Sequence, residues 1–161
     1  MKKIDPLGVE FPFLEGKNLL GQEIPLPYHK AGQIRIFTLL LSNRVQKEAD
    51  TWTKYVLETF QENPEIHYFE IRLFSSLYKP FAEKMDERKK EKTDPQVHSK
   101  VVRSYEDKSK ICKKLGLSQQ GLCYLYLLDR KGIVRYWGKG FADAVQQREL
   151  MAEIHRIYQR S

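Results

Sequence analysis

The sequence predicts an α/β fold, one domain over residues 1–161, with a central mixed β-sheet flanked by helices, an N-terminal hairpin and a charged helical insertion at about 76–97. Three observations predict it. The segment Gln33 to Leu41 alternates and then turns wholly apolar, and Leu122 to Leu128 is almost continuously apolar, as strands covered on both faces should be. Elsewhere apolar residues recur every third or fourth position, which is helical spacing. No repeat and no low-complexity linker divides the 161 residues, enough chain to bury a sizeable core without disulfides.

Taken in order, Gly16 to Pro27 carries a turn at Gly21 between two short extended pieces, and Pro25 and Pro27 restrict the second to an edge strand. The first central strand follows. Val45, Ala49, Trp52, Val56 and Phe60 then stripe a helix, with Asn43 as N-cap and Gln46 reaching back as in a capping box. Asn63-Pro64 ends that helix, because proline disfavours helical geometry in the residue before it. Ile66 to Phe74 is a second strand.

Leu77, Phe81 and Met85 mark a helix over 76–92 that breaks at Thr93-Asp94-Pro95. Val101, Tyr105, Cys112 and Leu115 suggest another helix, interrupted by Lys108 and closed by Gly116. Cys112 falls on its inward face. The apolar strand to Leu128 turns at Asp129-Arg130-Lys131-Gly132 into Ile133 to Trp137, and Leu150, Met151, Ile154, Ile157 and Tyr158 stripe a closing helix. The expected order is hairpin, β, α, β, α, α, β, β, α.

The net charge of +7 is concentrated: residues 79–114 hold twelve Lys or Arg against seven Asp or Glu. Such a block attracts nucleic acid, acidic lipid or an acidic partner. The interspersed signs of Glu83 to Lys92 instead read as a solvated helix face. Aromatic residues do not interleave the block, so nucleic acid is not the expected partner. No apolar run is long enough for a signal core or a bilayer span, so the expectation is a cytoplasmic protein, with peripheral association to a membrane or membrane complex left open.

Chemistry is sparse. Cys112 and Cys123 are the only cysteines, and sequence leaves open whether they are buried fillers or a redox pair. The histidines, His29, His67, His98 and His155, lack ligand spacing, so no metal is expected. Gly138-Lys139-Gly140 lacks the setting of a nucleotide loop, so no cofactor is expected either.

The element order, with Phe11-Pro12-Phe13, the Leu20 to Leu26 segment and the Gly32 entry to the central strand, resembles the thioredoxin-like (redoxin) superfamily. The C-terminal half, with Leu115-Gly116-Leu117-Ser118, Tyr124 to Leu128, Asp129-Arg130, Gly132, Arg135, Gly140 and Ala142, is similar to the mitochondrial ATP synthase assembly factors of redoxin type. Tyr136 and Trp137 depart from that family's Trp and small residue. The resemblance implies a non-enzymatic helper in building a membrane complex, and a mitochondrial matrix location as the alternative to the cytoplasm.

Redoxin enzymes place the attacking cysteine where the first central strand enters its helix, since helix N–H groups stabilise a thiolate. That junction here is Leu41-Ser42-Asn43-Arg44, without cysteine. The loop that in redoxins holds a cis-proline is Ser118-Gln119-Gln120-Gly121, without proline. The expectation is therefore a protein-binding module using Ser42, Asn43, Arg44, Gln119, Gln120 and Trp137, with Ser42 and Asn43 also acting as caps. Trp137 has a competing place packed under the last helix. The alternative is a thiol oxidoreductase or peroxiredoxin-like enzyme working through Cys112 or Cys123.

Overall fold

A computed structural model describes residues 5–117 and 121–160. Strands β1 (Leu14–Asn18) and β2 (Glu23–Leu26) form the N-terminal hairpin. Then come β3 (Ile34–Leu40), α1 (Gln46–Phe60), β4 (Ile66–Phe74), α2 (Ala82–Lys92), β5 (Val101–Tyr105), α3 (Lys108–Leu115), β6 (Tyr124–Leu128), β7 (Val134–Lys139) and α4 (Ala144–Arg160). The seven strands lie in the order β2-β1-β5-β4-β3-β6-β7. β3, β4 and β5 run parallel, while β1, β6 and their hairpin partners pair antiparallel.

Every residue of β3 and β6 is buried, as their apolar runs require. On one face of the sheet, Trp52 and Val56 of α1 and Leu150 and Ile154 of α4 pack on Ile34, Ile36, Leu125 and Leu127. On the other, Ile111 and Leu115 of α3, together with Phe11, pack on Phe37, Leu39, Tyr124 and Tyr126. Arg35 is also buried, and its guanidinium donates to the carbonyls of Pro27, Gln33, Asp129 and Arg130, which joins the ends of both hairpins to β3. Burial lowers its affinity for a proton, partly offset by Asp129.

The structure corrects one element. Residues 101–105 form a strand, parallel to β4 from Glu70↔Val101 to Phe74↔Tyr105 and antiparallel to β1, rather than the first turn of a helix. The four-residue step from Val101 to Tyr105 fits a helical stripe, but β-branched Val101 and Val102 settle into the ladder beside β4. The helix starts only at Lys108, capped by Asp107 Oδ1, which accepts from the amides of Ser109 and Lys110. Gly116 ends it with φ at 69°, a left-handed conformation suited to glycine.

The insertion is present, with a 3-10 turn Ser76–Phe81 leading into α2 and another at Pro95–Lys100. Its apolar stripe is not core. Leu77 is 81% and Phe81 58% exposed, and no residue of α2 is buried.

Candidate functional site

The β3–α1 bend lies at the carboxyl ends of β3 and β4, beneath α2. Ser42 Oγ accepts from the Arg44 amide at 3.1 Å and caps the 3-10 turn Asn43–Val45, so α1 begins two residues later than the sequence suggests. Asn43 does not cap. Its Oδ1 accepts from Arg72 Nη2 at 2.8 Å, because β4 presents a buried guanidinium that has a stronger claim on the amide oxygen than a neutral backbone N–H. Gln46 does not reach back either: its Nε2 donates to Asp50 and Glu70, and its Oε1 accepts from Lys89 Nζ at 2.8 Å.

Three charged groups beneath the bend were not singled out by sequence. Glu70 and Arg72 are buried on β4, and Lys89 of α2 reaches Glu70 at 3.7 Å. Arg72 also lies over the Phe74 ring at 5.0 Å. Burial lowers the pKa of Arg72 and of Lys89, with Glu70 opposing in each case. The signal was the alternation of Glu70 and Arg72 in a run that is otherwise aromatic or aliphatic from Tyr68 to Phe74, which places two charges where only partnered charges survive. Lys108, seen in the sequence only as a break in a stripe, donates Nζ to the Leu41 carbonyl at 2.8 Å and so puts an ammonium at the end of β3.

The bend opens on a groove of about 830 Å³ between β4, α3 and the insertion. Arg44 is exposed on its rim. Phe74, Tyr78, Phe81 and Met85 give it apolar walls. No thiol lines it.

The two cysteines are unbonded and occupy opposite faces of the sheet. Cys123 is fully buried among Trp52, Leu125 and Leu150, and burial, reinforced by Glu70 and Glu48, pushes its thiol pKa far up. Cys112 packs against the face that holds Ile111 and Leu115, and burial raises its thiol too, with Lys108 opposing. Cys123 is inaccessible, and at the partly exposed Cys112 burial outweighs the Lys108 ammonium, so neither thiol is held as a thiolate. Among the described residues no group of three His, Cys, Asp or Glu could hold a metal ion.

Trp137 is half-buried on the α3 face at the register of Tyr126, while its neighbour Tyr136 lies among the residues under α4. The expected packing of Trp137 under the last helix is thus reversed, because β7 alternates from Val134 and hands the α4 face to Tyr136. The structure brings Ser42, Asn43 and Arg44 together and leaves Trp137 elsewhere. Gln119 and Gln120 lie outside the described residues, as does the expected absence of a cis-proline there.

The family described as ATP10 protein matches residues 8–157. No curated protein matches the chain in sequence. Among solved structures, BsSco, a member of the Sco family of cytochrome c oxidase assembly proteins, superposes with a TM-score of 0.67 at 14% identity, covering 99% of this chain and 100% of that one. A protein assigned as thiol:disulfide interchange protein DsbE from Chlorobium tepidum gives 0.60 at 15% identity, covering 94% and 96%. The exposed lipoprotein thioredoxin Etrx1 from Streptococcus pneumoniae gives 0.60 at 12% identity, covering 88% and 99%. These likenesses make the fold thioredoxin-like.

Proposed function

The chain belongs to the ATP10 protein family, and from that premise we propose that it is a non-catalytic helper that binds a protein subunit while a membrane ATP synthase is assembled. One observation carries the reading beyond the family: the bend at which a redoxin enzyme holds its thiolate contains Ser42, Asn43 and Arg44, backed by Arg72 and the Lys108 ammonium. Such a bend offers a groove but no thiol, and its one hydroxyl, Ser42 Oγ, accepts from the Arg44 amide as a cap. That BsSco belongs to a family of assembly proteins supports an assembly role on this fold. Among the described residues no helix is long and apolar enough to cross a membrane.

Affinity capture of the tagged chain, with quantification of ATP synthase subunits by mass spectrometry, tests this. Enrichment of those subunits is expected, with a clear loss in Arg44→Glu. Capture of none of them defeats the helper reading, and unchanged recovery by Arg44→Glu moves the binding face away from the bend.

A further inference from the structure

The basic block of the sequence is not an evenly mixed surface. On α2, Lys84, Arg88 and Lys92 recur every four residues, and Glu83, Glu87 and Glu91 do the same one position earlier. A step of about 100° per residue separates these into two stripes. The basic stripe faces the bend. Lys84 and Arg88 line the groove together with Arg44, Arg72 and Lys108, and Arg88 and Lys92 continue into an adjoining cleft of about 370 Å³ over Gln46. None of the described residues lining either cavity is acidic. Glu70 lies beneath, neutralised by Lys89.

Arg44, Lys84 and Arg88 have no ion pair and no side-chain hydrogen bond among the described residues, so their charge is available to an incoming group. Between the charges, Tyr78 and Phe81, 51% and 58% exposed, offer uncovered aromatic surface beside Phe74 and Met85.

We infer that this groove seats an extended acidic segment of a protein partner, with carboxylates on the Lys84-Arg88-Lys92 stripe and an aromatic or aliphatic side chain against Phe74, Tyr78 and Phe81. The inference rests on the protein-binding reading above and names the chemistry of the partner. Spacing supports an extended chain: residues four apart on a helix rise about 6 Å, and alternate side chains of a strand repeat at about 6.6 Å. One carboxylate at every second position would therefore keep step with the basic stripe. The concave shape favours a chain lying in a cleft over a flat lipid surface.

The probe is a fluorescein-labelled synthetic peptide with Glu at alternate positions and one central Phe, compared by fluorescence anisotropy with its Gln counterpart. The Glu peptide is expected to bind at least about tenfold more tightly, with affinity falling steeply as salt rises from about 50 to 300 mM. The double variant Lys84→Glu/Arg88→Glu, on exposed side chains, is expected to weaken it by about tenfold or more. Glu83→Gln/Glu87→Gln, on the other stripe, is expected not to weaken it. Equal binding of the Gln peptide, or no loss in the groove variant, overturns the inference. So does binding to phosphatidylglycerol vesicles, lost in the groove variant, when the peptide does not bind. If the groove variant still captures ATP synthase subunits as well as wild type does, the acidic-segment inference fails and the helper reading stands. If wild type captures none but binds the Glu peptide selectively, only the helper reading fails.

Discussion

Arg103 on β5 holds Asp86 on α2 through two parallel hydrogen bonds, Nε to Oδ1 at 2.8 Å and Nη2 to Oδ2 at 2.6 Å. The Asp86 contact raises the Arg103 pKa against the opposing effect of burial. With no buried residue of its own, α2 is fixed to β5 by this fork and to Glu70 of β4 and Gln46 of α1 by Lys89, while its end is held to the following 3-10 turn by His98, whose Nε2 lies within hydrogen-bond distance of the Lys90 and Thr93 carbonyls. The insertion is thus a polar-tethered wall of the groove. Asp86→Ala should release it locally, at about 1.5–3 kcal/mol, so amides of 82–92 exchange roughly ten- to hundredfold faster. Hydrogen exchange checks this, and protection unchanged across α2 would show that the fork is dispensable.

Glu70 and Lys89 form a pair with side chains only 5% and 13% exposed. Removing one partner strands a charge: Lys89→Met should lower stability by about 3 kcal/mol, whereas Glu70→Met/Lys89→Met should recover most of that loss. Denaturant titration of the two variants decides it. The lowered Lys89 pKa means the folded state binds this proton less well than the unfolded chain does. Burial of the ammonium therefore opposes folding at neutral pH, and that opposition fades as pH rises toward 10.5.

Asp129 gives a dependence at the acid end. Burial alone would raise its carboxyl pKa, but the Arg135 guanidinium at 2.8 Å and the amides of Ile133 and Lys131 hold it below the ordinary 3.8. A depressed folded-state pKa contributes stability that is present above 3.8 and lost as pH falls through the lower folded value. Thermal melts should fall with acidification below about pH 4 more steeply in wild type than in Asp129→Asn. At pH 7 the variant should be about 1–2 kcal/mol less stable. Parallel melting curves for the two proteins would refute this.

At Gly16, where β1 lies between β2 and β5, a Cβ would overlap Val102 Cγ1, and Val102 is fully buried and cannot move aside. Gly16→Ala should destabilise by about 1–3 kcal/mol. Adding Val102→Ala makes room, so the double-mutant cycle should show a favourable coupling above about 0.5 kcal/mol. Strict additivity would mean that the strands separate to admit the methyl group.

The native protein should leave Cys123 unlabelled by a thiol reagent, label Cys112 slowly, and show no catalysis of insulin reduction. Disulfide reduction at an enzymatic rate, lost in Cys123→Ser or Cys112→Ser, would restore the oxidoreductase alternative.

The elements with a strong local pattern were legible without coordinates. The buried run of β3, the α1 stripe from Ala49 to Phe60, β4 at Ile66–Phe74, the β6–β7 hairpin and the Gly116 cap each follow from periodicity or turn chemistry within a few residues. The missing cysteine at the bend was legible for the same reason. β5 was not, because Val101 to Tyr105 is a strand only by virtue of β4 and β1 on either side.

Identity and order along the chain were enough to determine which groups this protein lacks at the β3–α1 bend and where its strongest helices and strands run, since those depend on neighbours a few positions apart. Tertiary structure alone decided that Asn43 serves Arg72 instead of capping α1, that the two thiols fall on opposite faces, and that the basic stripe of α2 turns toward the groove. Each of these depends on how distant segments pack, as Asn43 and Arg72 do 29 residues apart. Burial and charge pairing across such separations are properties of packing that no local period encodes.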